Sequence, residues 1–221
     1  AGANAQIETD AGSLDITNAT SGAIDIVETN AVTVFNATQT LAGNIRIVAG
    51  GTITVDNGGA VANAISAAHA TGGTIILDAV GAASSILVND GIISNSGTIT
   101  LTADDDVIFE AAGDITSTSG NVTVAADADA TADAPTGGAL TMVDGTVINA
   151  GSGTISLSAD EDVKLGRLET TNATTTAVTI ASVSAGVIDN GDTGVENIDA
   201  AAGRVVITAK TGVGATAGAG A

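Results

Sequence analysis

The 221-residue chain has no cysteine, no tryptophan, no tyrosine, one proline and two phenylalanines. Without cysteine it forms neither disulfides nor thiolate metal sites. Without large aromatic side chains, the interior has to be filled by isoleucine, valine, leucine and alanine. These residues suit a narrow interior of stacked small side chains and argue against a large ligand pocket.

Positive charge is also scarce. Five basic residues stand against 25 acidic ones, for a formal net charge of −20. Nucleic acid is excluded as a partner, because phosphate binding requires clustered lysine and arginine, and an anionic membrane surface is disfavoured for the same reason. No apolar run is long enough to span a bilayer, so membrane insertion is not expected. No signal peptide is recognisable, which predicts a mature or excised portion of a longer protein.

A short phrase recurs along the chain: glycine, a spacer, an aliphatic residue, a second spacer and another aliphatic residue. Each copy is typical of a corner followed by a strand with one buried face. Copies separated by regular intervals indicate a repeat protein built from one stacked unit. The phrase occupies residues 12–16, 22–26, 43–47, 51–55, 97–101, 120–124, 153–157 and 203–207.

The longest internal match joins residues 97–107 (GTITLTADDDV) to residues 153–163 (GTISLSADEDV), with a looser copy between them. The first two copies start 23 residues apart, at Gly97 and Gly120. One coil therefore contains about two dozen residues. We predict an all-β, right-handed parallel β-helix over residues 1–211, followed by a low-complexity Gly/Ala tail or inter-subunit contact at residues 212–221.

Two alternatives remain open, one for the whole fold and one for a single segment. A β-sandwich would need hairpin turns, and only Asn57-Gly58 and Asn190-Gly191 fit that pattern. Near residues 60–70, Val61, Ala64, Ile65 and Ala68 follow a helical period, so the sequence predicts either a short helix or an additional strand and loop.

The alternation of the strands predicts which side chains form the core. Apolar residues point inward and threonines point outward, because successive strand residues face opposite sides. The predicted structural core contains Ile99, Leu101, Val122, Val124, Ile155, Leu157, Val178, Ile180, Val205 and Ile207.

The repeated phrase at residues 97–107, together with Gly-Asp-Ile-Thr-Ser at residues 113–117, resembles filamentous-haemagglutinin-like proteins. The similarity covers most of residues 40–210. These are very large bacterial surface proteins made of β-helical repeats. The resemblance implies secretion, an elongated rod and a role in adhesion or biofilm. The family's N-terminal secretion domain is not recognisable here.

Acidic clusters follow two equivalent strands. Stacked carboxylates could bind Ca²⁺, a hard cation that takes several oxygen ligands. A solvated corner that only supplies charge is the simpler interpretation. Asp127, Asp129 and Asp133 form a third acidic stretch, with the same two interpretations. The six candidate calcium ligands are Asp104, Asp105, Asp106, Asp160, Glu161 and Asp162.

Three further patterns bear on function. Paired carboxylates occur in β-helical enzymes that cleave polysaccharides, but the basic residues here are scattered and stacking aromatics are missing. The only histidine, His69, has no nearby partner for a metal site or catalytic triad, so we expect it on the surface. The outward residues of 98–102 resemble the threonine arrays of ice-binding solenoids, although the later copy substitutes serine.

The sequence as a whole predicts a structural protein without catalytic activity. We expect an extracellular, cell-surface filament or the rod of a large adhesin. Its expected partners are further copies of itself, stacked end to end, or the rest of a giant surface protein. A host, cell-surface or polysaccharide receptor is a further expected partner. Apart from the calcium ion, no cofactor is expected.

Overall fold

The computed structural model describes residues 6–60, 62–127, 138–191 and 196–214. These residues form an all-β parallel solenoid without helices. The strands, in chain order, are β1 (Ile7–Thr9), β2 (Ser13–Asn18), β3 (Ile24–Glu28), β4 (Val32–Gln39), β5 (Ile45–Ala49), β6 (Ile53–Val55), β7 (Asn63–Ala67), β8 (Ile75–Ala79), β9 (Ile86–Val88), β10 (Gly91–Ser94), β11 (Ile99–Ala103), β12 (Val107–Phe109), β13 (Ile115–Ser117), β14 (Val122–Ala126), β15 (Leu140–Met142), β16 (Val147–Asn149), β17 (Ile155–Ala159), β18 (Val163–Leu165), β19 (Arg167–Glu169), β20 (Val178–Ser182), β21 (Gly186–Asp189), β22 (Ile198–Asp199), β23 (Val205–Ala209) and β24 (Gly212–Val213).

Three stacked faces make up the solenoid. Face 1 is a nine-stranded sheet in the order β1-β3-β5-β8-β11-β14-β17-β20-β23. The second sheet is divided at the long strand β4, which pairs with β6 through its first half and with β7 through its second half. Face 2 therefore runs from β4 through β6, β9, β12, β15, β18, β21 and β24, and face 3 runs from β4 through β7, β10, β13, β16, β19 and β22.

Every strand pairing in the described part of the chain is parallel. The sandwich alternative is therefore wrong, and Asn57-Gly58 and Asn190-Gly191 are not hairpin turns. The chain makes about eight coils of about 24 residues. Nine strands stacked about 4.8 Å apart give a rod roughly 40 Å long.

The core consists of aliphatic columns that run along the rod. On face 1, Ile99 stacks between Ile75 and Val122, and a second column of aliphatic residues lies two positions further along each strand. Eight of the ten residues predicted for the core are at most 1% exposed: Ile99, Leu101, Val122, Val124, Ile155, Leu157, Val178 and Ile180.

The other two predicted core residues lie on β23. Val205 is 36% exposed and Ile207 is only partly buried. Both occupy the inward columns, but β23 pairs only with β20 among the described strands. Because no described strand covers the other side of β23, its inward residues are less buried than their equivalents.

Of the two alternatives for residues 60–70, the helix is wrong and the strand is confirmed, because β7 is a strand that pairs with β4 and β10. The register between β7 and β10 shifts after Asn63, so Ala64 is an extra residue and both Ala64 and Ile65 are buried. A β-bulge of this kind places two consecutive side chains inside and breaks the period of two. The resulting spacing imitates a helical period. Val61 lies outside the described residues.

In six of its eight copies, the glycine of the repeated phrase lies at the corner that leads from face 3 to face 1; Gly12 and Gly51 lie at the corner from face 1 to face 2. A Cβ atom added to Gly120 would meet the carbonyl oxygen of Gly97, and one added to Gly97 would meet that of Gly73. Gly43 and Gly153 make the same close approach to the preceding coil. Glycine therefore recurs here because adjacent coils lie too close for any side chain.

We predict that Gly120→Ala lowers the free energy of unfolding by about 1–3 kcal/mol, because the methyl group collides with backbone that has no room to move. Gly12→Ala is the matched control, since a Cβ at Gly12 has no atom within 4 Å. Thermal melts followed by circular dichroism would compare the two. Equal melting temperatures for the two variants would contradict this account of the corner.

Candidate functional site

Asparagine, aspartate or threonine often stands immediately before a strand, and its side chain bonds to the next coil. Asn121 Oδ1 accepts the backbone N–H of Thr154 at 2.9 Å, and Asp162 Oδ1 accepts that of Gly186 at 2.8 Å. In each case the donor occupies the equivalent position one coil later. The side-chain oxygen thus accepts a hydrogen bond from a backbone N–H beside the start of a strand in the next coil. The same bond is made by Asn44, Thr52, Asp106 and Asp114.

Both acidic clusters lie at the corner between face 1 and face 2. Asp104, Asp105 and Asp106 connect β11 to β12, and Asp160, Glu161 and Asp162 connect β17 to β18. The coil of β14 and β15 lies between them, so the clusters are about 10 Å apart along the rod. This distance is too long for one ion to bridge carboxylates of both clusters.

Most of these carboxylates accept hydrogen bonds from neighbouring coils. Asp104 accepts the N–H of Gly81 at 2.5 Å, Asp105 accepts the hydroxyl of Ser85 at 3.2 Å, and Asp160 accepts the hydroxyl of Ser184 at 3.1 Å. Within the described residues, no group of three or more His, Cys, Asp and Glu side chains is arranged to hold a metal ion. The calcium hypothesis gains no support from this geometry. Asp129 and Asp133 lie outside the described residues.

Two aspartates have pKa values displaced in opposite directions by their surroundings. Burial raises the pKa of Asp106 above its ordinary value, against the lowering effect of the hydrogen bond from Ala139, and the neighbouring Asp105 raises it further. The backbone N–H of Gly58 lowers the pKa of Asp56, and the Asn89 amide adds to that effect. Both groups serve as hydrogen-bond acceptors for the backbone of a corner.

Glu28 is a carboxylate inside the rod. It occupies an inward position of face 1 where the next four coils have alanine, and it is 1% exposed. Its Oε2 accepts the hydroxyl of Thr9 at 2.5 Å and the N–H of Ala11 at 2.9 Å; its Oε1 accepts the N–H of Thr29 at 2.9 Å. Burial raises the pKa of Glu28, but these bonds together outweigh it and hold the pKa below 4.5. Glu28 therefore connects the first two coils as an anion.

His69 is buried, so its predicted surface position is wrong. It is 9% exposed; its Nε2–H donates to the carbonyl oxygen of Gly43 at 2.9 Å, and its Nδ1 accepts the hydroxyl of Thr71 at 2.9 Å. Later coils satisfy the equivalent glycine carbonyl with a hydroxyl, as Ser94 does for Gly73 at 2.8 Å. His69 thus has the same structural role as a serine. No sequence pattern around this single histidine indicated that it would bond to a corner glycine.

The outward side of face 1 carries a charge-free array over four consecutive coils. Thr100, Thr123, Ser156 and Thr179 pair in register. Their hydroxyls make no side-chain hydrogen bond within the described part of the chain. We call the array the hydroxyl strip; its eight residues are Thr100, Thr102, Thr123, Ala125, Ser156, Ser158, Thr179 and Ala181.

Two of the open grooves on the surface of the described residues concern the candidate residues. One, of about 300 Å³, borders the hydroxyl strip and includes Asp127 and Asp160 in its lining. The other, of about 310 Å³, contains Glu169 and Asp199 on adjacent coils. The Glu169 carboxylate is bound by Arg167 at 2.7 Å and by the amide of Asn149 at 2.7 Å. This carboxylate is thus occupied by a contact that connects neighbouring coils.

Comparisons with protein-family models, with curated proteins and with solved structures find no match to this chain. No helix in the described ranges is long and apolar enough to cross a membrane. The fold and the contacts within it are therefore the observations that bear on function.

We predict that Glu28→Gln lowers stability at neutral pH by about 1–3 kcal/mol, because an amide nitrogen cannot accept the bonds that the carboxylate accepts. The folded pKa of Glu28 lies below its unfolded value, so the stabilisation is complete above pH 4.5 and is lost as the pH falls through the folded pKa. The stability difference between the wild type and Glu28→Gln should therefore shrink in acid. Denaturant unfolding at several pH values measures it.

Glu8→Gln is the control, because Glu8 lies exposed on the neighbouring coil and its side chain makes no hydrogen bond in the described structure. It should change stability little at any pH. A difference between the wild type and Glu28→Gln that stays constant from neutral to acidic pH would show that the Glu28 charge is not stabilising.

Proposed function

We propose that the chain is a structural rod of an extracellular, cell-surface fibre or large adhesin, with a role in adhesion, biofilm or cell–cell contact. The observation that carries this proposal is the continuous parallel pairing of three faces along one axis. In such a solenoid each coil contacts only its neighbours, so length and stiffness grow by adding coils. The resemblance of the repeated phrase to filamentous-haemagglutinin-like proteins supports the same role.

The charge of the rod supports a scaffold that stays separate from other rods. A formal net charge of −20 on a roughly 40 Å rod makes side-by-side contacts between copies repulsive. We propose as partners the rest of a giant surface protein or further copies of the chain, together with a host, cell-surface or polysaccharide receptor. Neither nucleic acid nor the membrane interior is among the proposed partners.

A catalytic role on polysaccharides is less well supported than a structural one. Most of the described carboxylates at the acidic corners accept backbone N–H groups or hydroxyls, and Glu169 in the second groove is bound by Arg167. A glycosidase needs two carboxylates free to protonate the leaving group and to attack or activate water. We therefore propose that the chain is not an enzyme.

The location is the first test. Antibodies against the chain should label intact cells of the producing organism and should detect the protein in washes of the cell surface. Labelling that appears only after the cells are made permeable would overturn the proposed function. A cytoplasmic protein of the same organism, detected in parallel, controls for cell lysis.

A second candidate function is binding to ice, and the hydroxyl strip is the observation that favours it. In its first column the hydroxyls repeat at the coil spacing of about 4.8 Å, without a charged residue among them. Such an array holds water in a regular pattern. The strip is short, and Ala125 and Ala181 interrupt its second column.

If this second function is correct, Thr123→Lys should abolish thermal hysteresis, because a charged side chain projects from the centre of the strip. Thr54→Lys is the matched control, since Thr54 points outward on face 2. The measurement is the gap between freezing and melting points of the protein solution. No gap for the wild-type chain would exclude ice binding and leave the structural proposal unaffected.

A further inference from the structure

The two ends of the described rod leave ladder positions uncovered. Ile7 on β1 is 61% exposed, and Val213 on β24 is 57% exposed, whereas their equivalents in the middle of the rod are buried. On β23, Val205 is 36% exposed. The apolar columns that run through the rod thus reach its surface at both ends.

The backbone edges at the two ends are complementary. Among the described strands, β1 pairs only with β3 and β23 pairs only with β20, and both pairings are parallel. One end of the rod therefore presents the free edge of β1, and the other end presents the free edge of β23. A strand edge of this kind is a template for the addition of another strand.

The charges beside the face-1 strands at the two ends have opposite signs, although the last coil also contains Glu196 and Asp199. Arg204 and Lys210, two of the five basic residues, directly flank β23 in the last coil. In the first coil, β1 contains Glu8 and is followed by Asp10. Most of the rod is strongly acidic, so this local complementarity favours contact between the first coil and the last coil over contact between two first coils.

The register of the ladders fixes which residues would meet. Ile7 pairs with Ile26, and the column that contains Ile26 ends at Ile207. If a second copy continued the same register, its Ile7 would stack on Ile207 and its Asp10 would lie beside Lys210.

Face 3 makes no direct contact of this kind through the described strands. Its last described strand, β22, precedes β23 in the chain, so in this register Ile16 of the second copy lies two strand spacings, about 10 Å, from Ile198. The described contact between the copies is therefore made through the edge of face 1.

We propose that the last coil binds the first coil of a second copy, in the register that places Ile7 on Ile207 and Asp10 beside Lys210. The proposal rests on the structural function proposed above and names the partner of the rod. Because the contact joins two different surfaces and the rotation does not close, repetition produces a linear filament.

Cross-linking tests the register directly, because the chain has no native cysteine. In this register Glu8 lies opposite Thr208, and neighbouring parallel strands place such Cα atoms within the range for a disulfide. The two residues of one copy lie nearly a rod length apart, so a disulfide in E8C/T208C has to join two copies. Under mild oxidation of the full chain we expect a ladder of covalent oligomers.

The matched control is E8C/V206C, in which the second cysteine also points outward but lies two residues out of register. It should give much less cross-linked product than E8C/T208C. Equal yields from the two variants, or no oligomers from either, would overturn the proposal. Circular dichroism melts of both variants under reducing conditions establish that each variant is folded.

Charge reversal gives a second, independent readout. D10K and K210D should each raise the concentration at which rods associate by roughly tenfold, because like charges replace an attractive pair. The double variant D10K/K210D should restore association. D144K, which makes the same charge change as D10K at an exposed position in the middle of the rod, should have little effect. Sedimentation velocity measures the association.

A wild-type chain that remains a single rod at all soluble concentrations would overturn end-to-end binding. So would a D10K variant that associates as well as D144K. Either result leaves the cell-surface location untouched, because antibody labelling of intact cells tests that location separately.

Discussion

Adjacent coils of this solenoid lie one strand spacing apart, and each coil has to satisfy the backbone of its neighbours at the corners as well as in the strands. The strands do so through parallel ladders. The corners do so through side-chain oxygens that stand immediately before a strand, such as those of Asn121 and Asp162. A corner without such a partner would leave a backbone N–H unsatisfied beside the core, at a cost of about 1–3 kcal/mol.

The same spacing explains residues that otherwise look unrelated. Glycine recurs where backbone of the preceding coil occupies the place of a Cβ, as at Gly120. The carbonyl oxygens of these glycines then need donors, which His69 and Ser94 supply in different coils. The acidic corners belong to the same system, because their carboxylates accept N–H groups and hydroxyls of neighbouring coils. Much of the negative charge is thus structural as well as solubilising.

The alternation of apolar residues was sufficient to predict the parallel solenoid, the coil length and the buried columns of face 1, because inward positions repeat with a period of two. The bulge at Ala64 was not predictable, since two adjacent buried residues also fit a helix. Glu28 and His69 were missed for another reason: their partners lie one coil away, and coil length varies. The offset is 21 residues from Ile24 to Ile45 but 33 from Val122 to Ile155, so contacts between coils cannot be counted from the sequence.

Amide hydrogen exchange on the intact chain tests most directly whether corner side chains complete the backbone pairing. The N–H groups of Val147, Thr154 and Gly186 each bond to a side-chain oxygen of the preceding coil. They should exchange as slowly as amides inside β14 and β17. Exchange of these three amides at the rate of exposed loops, with protected strands on either side, would contradict the account.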